Sequence, residues 1–453
     1  MLKIGQITDL HLRIHLPGSA SINKRRSRDV AKILESALQT LKIENVDLIV
    51  VTGDLIDVPK ALLQPNDYYD YKLEVLRKQC NEDYQFIKEL LEKTTIPYMV
   101  LPGNHDLESV FWDVFDKKDV EKTIKGFRVI SFYDREENNQ AHRYDRERSL
   151  MLKVLGDENP TPQIHLQHYV VHPELNEDYL YTYYDADNIK KYIINSNKVK
   201  LLISGHYHSG TDLLSIEGTS FVTGPSFSEY PHPVTTYEID DQLVTKKRID
   251  ILKKPLYSGK PIAFLDRDGV INTLSSYSTG PDLLILTENA GKAISNLHEA
   301  GYIVVVITSQ SCVGYGHVSK DTVISNHDYL CNLLRTNGGD SAQPDLFLFS
   351  TGGGNADAVH KDLEDDSNAK PSTILPKEAL EIFDAQLPGS FIVGDNISDL
   401  MTGKNLDIDC YLVRTGSGLQ SLERLHGDSN CQMKFESVEN LFSLSEKLLK
   451  LAK

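Results

Sequence analysis

The sequence has little cysteine and no long apolar run, and each absence excludes a class of protein. The five cysteines are scattered, odd in number and never closely paired, which argues against a disulfide framework and against a thiolate zinc cluster. No hydrophobic stretch approaches the roughly 20 residues of a membrane-spanning helix. Residues 1–9 also lack the charged start and apolar stretch of a signal peptide. We therefore expect a cytoplasmic protein with reduced thiols and no membrane partner.

Positive charge is also scarce. Lysine and arginine number 48 against 65 aspartate and glutamate residues, which gives a formal net charge of -17. Because nonspecific nucleic-acid binding rests mainly on cation–phosphate attraction, this balance disfavours it and leaves open only a local basic groove. The 40% hydrophobic and 25% charged residues are typical of a globular protein. A length of 453 residues exceeds what one hydrophobic core usually serves, so we expect two domains.

Hydrophobic strand-like runs alternate with amphipathic helical stretches along the whole chain, which predicts α/β layering. The first series has predicted strands at residues 3–8, 47–52, 97–101, 126–132, 163–166 and 200–204, followed by strand-and-turn character over 217–241. The second series has predicted strands at 261–265, 302–307, 346–349, 390–393 and 410–413, with helices at 289–300, 321–336 and 376–385 and a polar loop within 337–369. The short segment 251–260 contains proline, glycine and paired lysines. We predict a first domain at 1–250, a linker at 251–260 and a second domain at 261–453.

Polar clusters follow predicted strands of the first series. In chain order they are Asp9-Leu10-His11, Gly53-Asp54, Gly103-Asn104-His105-Asp106, His168 and Gly205-His206-Tyr207-His208. Asp-x-His and His-x-His place both side chains on one face of an extended segment, since alternate residues point the same way. Two divalent ions ~3.5–4 Å apart need a bridging carboxylate with imidazole, carboxylate and amide ligands on each side. Although each cluster alone is common on protein surfaces, the ordered set predicts a dinuclear metal site.

This order of motifs resembles the calcineurin-like metallophosphoesterases, especially the branches that hydrolyse cyclic nucleotides and small phosphodiesters, over roughly residues 1–245. The resemblance implies a four-layer αββα sandwich with two divalent ions, Mn, Fe or Zn, which would activate the attacking water. It assigns one metal to Asp9, His11 and His208, a second to Asn104, His168 and His206, and the bridging position to Asp54.

The same resemblance implies the remaining roles. His105 would stabilise developing charge or protonate the leaving oxygen, and Asp106 would orient His105. The choice of His168 as a ligand has two neighbours as alternatives, His165 and His172. His168 is preferred because it directly follows the predicted strand.

A second set of polar residues follows strands of the second series. Residues 263–272 read AFLDRDGVIN, an apolar strand that ends in Asp266 and Asp268. Two carboxylates two residues apart can divide the work of nucleophile and proton carrier. Thr308 ends another buried strand and suits a phosphate oxygen, and Lys370 follows the polar loop. Asp395 ends a further strand with Asp399 one helical turn later, a carboxylate pair that could hold or brace Mg²⁺.

These motifs resemble those of the haloacid dehalogenase (HAD)-like phosphatases over roughly residues 261–420. They are most similar to the histidinol-phosphate and heptose-bisphosphate branch and next to the phosphatase domains of polynucleotide end-processing enzymes. The resemblance implies a doubly wound, Rossmann-like domain with a minimal cap and an open site. It assigns Asp266 as nucleophile, Asp268 as general acid and base, Thr308 and Lys370 as phosphate-binding residues, and Asp266, Asp268 and Asp395 as ligands of Mg²⁺. One departure is that residues 337–369 contain no cysteine and only one histidine, His360, which excludes the zinc loop common in that branch.

Three functional hypotheses follow. The first is a bifunctional enzyme that cleaves phosphodiesters in one domain and phosphomonoesters in the other, on nucleotide, sugar-phosphate or other small or terminal phosphoester substrates. The second makes one domain a non-catalytic regulatory scaffold, although no ligand is missing from either motif set. The third directs both domains to nucleic-acid ends, against which the acidic charge counts. The sequence leaves the oligomeric state open.

Overall fold

The computed structural model describes residues 1–20, 22–63, 73–117, 119–175, 179–240, 242–273, 284–352, 368–427 and 433–453. These residues form two compact units. The first comprises Met1–Leu16, Lys24–Val58 and Arg77–Lys253, and the second comprises Lys254–Lys453 with the described parts of 17–23 and 59–76. Some residues of the N-terminal half are thus grouped with the second unit, and the contiguous division at 251–260 stays a prediction.

Strands from the whole N-terminal half build the first unit. They are β1 (Leu2–Ile7), β2 (Leu48–Thr52), β3 (Tyr98–Leu101), β4 (Glu121–Ile124), β5 (Phe127–Ser131), β6 (Arg135–Glu137), β7 (Gln140–His142), β8 (Gln163–Leu166), β9 (Thr182–Tyr183), β10 (Val199–Ser204), β11 (Leu214–Ile216), β12 (Thr219–Thr223), β13 (Pro233–Ile239) and β14 (Val244–Asp250). Its helices are α1 (Val30–Ile43), α2 (Leu73–Lys93, of which the part from Arg77 belongs to this unit), α3 (Glu108–Val114), α4 (Asp145–Gly156) and α5 (Ala186–Ser196). The 3₁₀ turn at Lys60–Leu63 is grouped with the second unit.

Two main sheets and flanking helices give this unit four layers. The strand order is β14-β13-β1-β2-β3 in one sheet and β11-β12-β10-β8-β5-β4 in the other, with a small third sheet β6-β7-β9. Alternate residues of the strands, among them Leu2, Ile4, Val129 and Ile203, form one buried cluster between the two main sheets. The outward residues of the second sheet pack against α4 and α5. A helix–sheet–sheet–helix arrangement is therefore observed, as the resemblance implied.

The second unit has its own strands and helices. The strands are β15 (Pro261–Leu265), β16 (Ile303–Ser309), β17 (Leu346–Ser350), β18 (Gln386–Gly394), β19 (Asp409–Val413) and β20 (Glu436–Val438). The helices are α6 (Ala290–Glu299), α7 (Lys320–Gly338), α8 (Ile374–Phe383), α9 (Ile397–Leu406), α10 (Gly418–Gly427) and α11 (Leu441–Ala452), with a 3₁₀ turn at Asp340–Ala342.

One parallel sheet organises the second unit, in the order β17-β16-β15-β18-β19-β20. Along β15, Ala263 and Leu265 face a cluster that includes α6, α7 and α11, whereas Ile262 and Phe264 face one that includes α8, α9 and α10. The sheet is thus buried on both faces, which explains its near-continuous hydrophobic strands. The strand order reverses between β15 and β18, and ligands bind at such a switch point in doubly wound sheets.

The predicted strands and helices of both series are confirmed to within a few residues at their ends. The strand-and-turn segment 217–241 contains β12 and β13. The predicted loop and the interval expected to exclude a large cap fall partly on 353–367 and 274–283, outside the described residues. Within the described part of the chain, no helix is both long and apolar enough to cross a bilayer.

Candidate active sites

The carboxyl ends of strands from both main sheets of the first unit carry the predicted metal ligands. Asp9 and His11 follow β1, Asp54 follows β2, Asn104 follows β3, His168 follows β8, and His206 and His208 follow β10. Because parallel strands end at the same edge of a sheet, these residues converge although they are up to 199 positions apart in the chain. The structure brings all seven together.

One group of three ligand atoms has the spacing of a single ion's coordination shell. His168 Nε2 and His206 Nδ1 each lie 3.1 Å from Asn104 Oδ1, and the two nitrogens are 3.2 Å apart. Ligand atoms about 2.1 Å from one ion and at right angles to each other are about 3 Å apart. These three atoms therefore suit one face of a six-coordinate ion.

A second group lies beside the first. His11 Nε2 is 3.2 Å from His208 Nε2, which is 3.8 Å from Asp9 Oδ1. Asp54 Oδ2 lies 3.5 Å from His11 Nε2 and also 3.5 Å from His168 Nε2, one member of each group. This equidistant oxygen has the position that a bridging ligand requires.

Burial and hydrogen bonding at this site fit divalent cations. Asp9 and Asp54 are 0% and 2% exposed, and two buried carboxylates this close need positive charge nearby. Burial, with the neighbouring Asp54 charge, raises the pKa of Asp9. The Nδ1 atom of His168 lies 2.8 Å from the Thr52 carbonyl oxygen, so Nδ1 carries the proton and Nε2 presents its lone pair to the site.

Among the three neighbouring histidines, only His168 lies in this site. His165 is buried with its Nε2 2.9 Å from Gln163 Oε1 and its ring against Phe132. His172 packs against Phe221. The preference for the histidine directly after the strand thus agrees with the geometry.

Two carboxylates that the sequence did not single out contact histidines of the site. Glu229 Oε1 lies 2.6 Å from Nδ1 of His208, so this imidazole also presents Nε2 to the ligand group. Asp57 Oδ1 lies 2.6 Å from Nδ1 of His105. Although burial opposes it, Arg13 and His105 hold the pKa of Asp57 well below its usual range, so Asp57 is a permanent negative charge behind His105.

Asp106 does not have the role expected of it. Its oxygens accept hydrogen bonds from the Gly103 and Leu55 amides at 2.8 and 3.1 Å and from the Tyr84 hydroxyl at 3.0 Å. Asp106 therefore braces the loops that follow β2 and β3, and Asp57 orients His105. Residues 53–57 read GDLID. The position of Asp57, three residues after Asp54, is the sequence feature that could have identified it as the partner of His105.

The backbone of the ligand loops is unusual. Four of the predicted ligand residues have left-handed φ values: 52° at Asp9, 46° at His11, 52° at Asp54 and 69° at His206. Gly53 has φ 96°, and a Cβ at this position would lie 2.2 Å from His168 Nδ1. Only glycine fits there, because the loop passes directly against a ligand ring.

Tyrosine rings surround His206. Tyr181 and Tyr179 lie edge-on to its ring at centroid distances of 5.4 and 6.0 Å, and Tyr169 lies at 4.7 Å. Tyr169 is buried, whereas Tyr181 is 40% exposed. An exposed aromatic surface therefore adjoins the predicted second metal.

In the second unit, Asp266 and Asp395 follow β15 and β18, on the two sides of the switch point. The Lys370 ammonium lies 2.7 Å from Asp266 Oδ1 and 2.5 Å from Asp399 Oδ1. Although burial acts in the opposite direction, these two carboxylates raise the pKa of Lys370. Lys370 is thus a fixed cation against the predicted nucleophile.

A group of three carboxylates suits Mg²⁺. Oxygens of Asp266, Asp395 and Asp399 lie within 4.8 Å of one another. Burial raises the pKa of Asp395 to about 6, and a bound cation would reverse that shift. Gly269, with φ 84°, permits this approach, since a Cβ there would lie 2.1 Å from Asp395 Oδ2.

The Asp268 carboxylate, also predicted as a metal ligand, is not in this group. Its oxygens accept hydrogen bonds from Arg267 at 2.7 and 3.0 Å, from Asn272 at 2.8 Å and from Gln310 at 3.0 Å. Gln310 also donates to the Thr308 hydroxyl at 2.9 Å. The Asp268 carboxylate is thus held in position, as a general acid and base requires. The sequence analysis did not identify the three residues that hold it.

Comparison with known proteins finds a phosphoesterase family in each half of the chain. The calcineurin-like phosphoesterase family matches residues 2–210, and the HAD-hydrolase-like family matches residues 367–433. The N-terminal half of the chain thus matches a calcineurin-like phosphoesterase domain, and the C-terminal half belongs to the HAD-like phosphatases. The chain is a hydrolase of phosphoric ester bonds with two phosphoesterase domains, of kinds that generally use divalent metals.

Curated relatives match part of the chain. D-glycero-D-manno-heptose-1,7-bisphosphate 7-phosphatase of Chlorobaculum tepidum is 31% identical over 171 residues, which cover 36% of this chain and 84% of the relative. The D-glycero-beta-D-manno-heptose-1,7-bisphosphate 7-phosphatase of Rhodopseudomonas palustris is 33% identical over 147 residues, 32% of this chain and 78% of the relative.

Solved structures also match part of the chain. A D,D-heptose 1,7-bisphosphate phosphatase from B. bronchiseptica, complexed with magnesium and phosphate, is 26% identical and covers 42% of this chain and 99% of its own, with a TM-score of 0.36. A dimetal phosphatase from Danio rerio is 15% identical and covers 55% and 96%, with a TM-score of 0.44.

Proposed function

We propose that the chain is a bifunctional enzyme whose first unit hydrolyses phosphodiesters at two divalent ions, Mn, Fe or Zn, and whose second unit hydrolyses phosphomonoesters with Mg²⁺. The observation that carries the first half is the position of Asp54 Oδ2, 3.5 Å from one histidine of each ligand group. Two adjacent ions lower the pKa of a water and stabilise charge on the phosphoryl oxygens.

The protein's own contribution in the first unit is proton handling. His105 is one-quarter exposed and faces the ligand group edge-on to His11, at a ring distance of 4.6 Å. Asp57 holds the Nδ1 proton, so in the doubly protonated ring the Nε2–H donates to the leaving oxygen. In this role His105 stabilises or protonates the group that departs from phosphorus.

In the second unit, Asp266 attacks phosphorus and forms an aspartyl-phosphate, which water then hydrolyses. Lys370 and Thr308 balance the charge of the phosphoryl group being transferred. Asp268 gives a proton to the leaving oxygen and then takes one from water. Arg267 and Gln310 hold both of its oxygens, so the carboxylate stays in one position through both steps.

Nucleotide or sugar phosphates are the substrates we favour. The half-exposed ring of Tyr181 beside His206 suits a planar or ring-shaped substituent. The curated relatives of the second unit are named as phosphatases of a sugar bisphosphate. The charge of -17 disfavours polynucleotides.

Paired variants test this division. Asp54→Ala should abolish hydrolysis of bis-(p-nitrophenyl) phosphate and lower the metal content, while Mg²⁺-dependent hydrolysis of p-nitrophenyl phosphate persists. Asp266→Asn should lower the monoesterase rate by several orders of magnitude and spare the diesterase. Loss of monoesterase activity in Asp54→Ala with near-normal activity in Asp266→Asn would show that the metal pair performs both reactions.

A further inference from the structure

Arg25 is held beside the first site by main-chain contacts. Its backbone pairs with that of Glu229, the residue that contacts His208. The Arg26 amide next to it donates to the Ser228 carbonyl at 2.8 Å. The position of Arg25 is therefore fixed by the loop that also positions a metal ligand.

The side chain of Arg25 is largely buried, and its guanidinium makes no hydrogen bond to a described residue. Its side chain is 7% exposed, and its Nε has no partner. Among the described residues its one ionic contact runs from Nη1 to Asp57 Oδ1 at 3.6 Å, which is longer than a hydrogen bond. Within the described part of the chain, no acceptor lies within bonding distance of the Arg25 donors.

Arg13 shows by contrast what a structural arginine looks like here. Its Nε and Nη2 donate to Asp57 Oδ2 at 3.0 and 2.7 Å. The other oxygen of Asp57 is 2.6 Å from His105 Nδ1. The single negative charge of Asp57 is already shared by these two partners, which leaves Arg25 as the surplus cation of the cluster.

A buried cation without acceptors destabilises the fold, and an anion that supplies the acceptors relieves this cost. The planar guanidinium fork matches two oxygens of a phosphoryl group. Arg25 also lies close to the predicted ligands, since Asp57 Oδ1, which is 3.6 Å from its Nη1, is 3.8 Å from His11 Nδ1. We propose that Arg25 binds anionic oxygens of the phosphoester substrate at the first site, a specificity role that rests on the proposed diesterase function.

The experiment compares the full metal-loaded chain with Arg25→Met and Arg25→Lys, using Arg26→Met as matched control because Arg26 pairs with Asp29 instead. Inorganic phosphate serves as a competitive inhibitor of bis-(p-nitrophenyl) phosphate hydrolysis. In Arg25→Met we expect the KM of the diester and the inhibition constant of phosphate to rise about ten- to hundredfold. The unfolding temperature should stay equal or rise, since an unpaired buried charge is removed.

Arg25→Lys should weaken phosphate inhibition several-fold, because an ammonium lacks the bidentate fork. This variant also decides the matter if Arg25→Met fails to fold. An unchanged inhibition constant in whichever Arg25 variant folds overturns the proposal. If the normal chain lacks diesterase activity, the function proposed above fails separately. In that case, calorimetric titration with phosphate compares the Mn²⁺-loaded normal chain with Arg25→Met. Loss of one phosphate-binding event in Arg25→Met supports phosphate binding by Arg25, and equal binding by both proteins overturns the proposal.

Discussion

The contact between Glu229 and His208 leads to a quantitative expectation for metal binding. Glu229 Oε1 lies 2.6 Å from His208 Nδ1, and this hydrogen bond is the main cause that lowers the pKa of Glu229. The residue is therefore an anion that fixes the imidazole tautomer and raises the basicity of Nε2. Removing such a partner typically weakens metal affinity ten- to hundredfold, or about 1.4–2.7 kcal/mol.

In Glu229→Gln the shape is kept and the charge is lost. We expect one Mn²⁺ binding step to weaken about tenfold or more, and the other to stay unchanged, because His168 is oriented by the Thr52 carbonyl instead. Equilibrium dialysis across a range of free Mn²⁺, followed by metal analysis, measures both steps. Glu238→Gln is the control, since this carboxylate pairs with Lys3 at 3.2 Å and contacts no predicted ligand among the described residues.

Two results would refute this reasoning. Binding curves that superimpose for the normal chain and Glu229→Gln would show that His208 is not a ligand or needs no orienting anion. Equal weakening of both steps would show that the two ligand groups do not act as separate shells.

Three further outcomes are expected. Asp57→Asn should lower the diesterase kcat on the order of 100-fold at unchanged metal content, because His105 loses its orienting charge; steady-state kinetics with metal analysis checks this. Gly269→Ala should abolish Mg²⁺-dependent monoesterase activity, since its Cβ would meet Asp395 Oδ2 at 2.1 Å, and calorimetry should show lost Mg²⁺ binding. Tyr181→Ala should raise KM for diesters with a ring substituent several-fold more than for dimethyl phosphate, whereas an equal change would exclude ring recognition.

The sequence predicted those parts of both sites that are local in the chain. Motifs at strand ends located Asp54 and Asp266 because the ends of parallel strands converge whatever lies between them. Glu229 could not be found this way, since its contact with His208 spans 21 residues that include β11 and β12. Arg25 also belongs to none of the motifs. That its guanidinium has no hydrogen-bond acceptor among the described residues can be seen only in the folded structure.

The role given to Asp106 failed for a related physical reason. Adjacency in the sequence suggested that it orients His105, but the turn after β3 directs its carboxylate to backbone amides of two loops. The sheet order of the second unit, in contrast, follows from the alternation of strands and helices and from the right-handed crossover rule. The alternation of strands and helices was thus enough to predict the fold. The partners of side chains such as Asp106 depend on turn geometry, which the sequence pattern did not predict.

The left-handed backbone at Asp9, His11, Asp54 and His206 restricts which substitutions can serve as tools. Aspartate and histidine are among the residue types that tolerate this conformation, and asparagine tolerates it best after glycine. An alanine or valine at Asp54 adds conformational strain of about 1 kcal/mol or more to the loss of a ligand. For trapping an intact phosphodiester in crystals, an asparagine at Asp54 is thus the better choice, because it removes the bridging charge and leaves the loop in its native path.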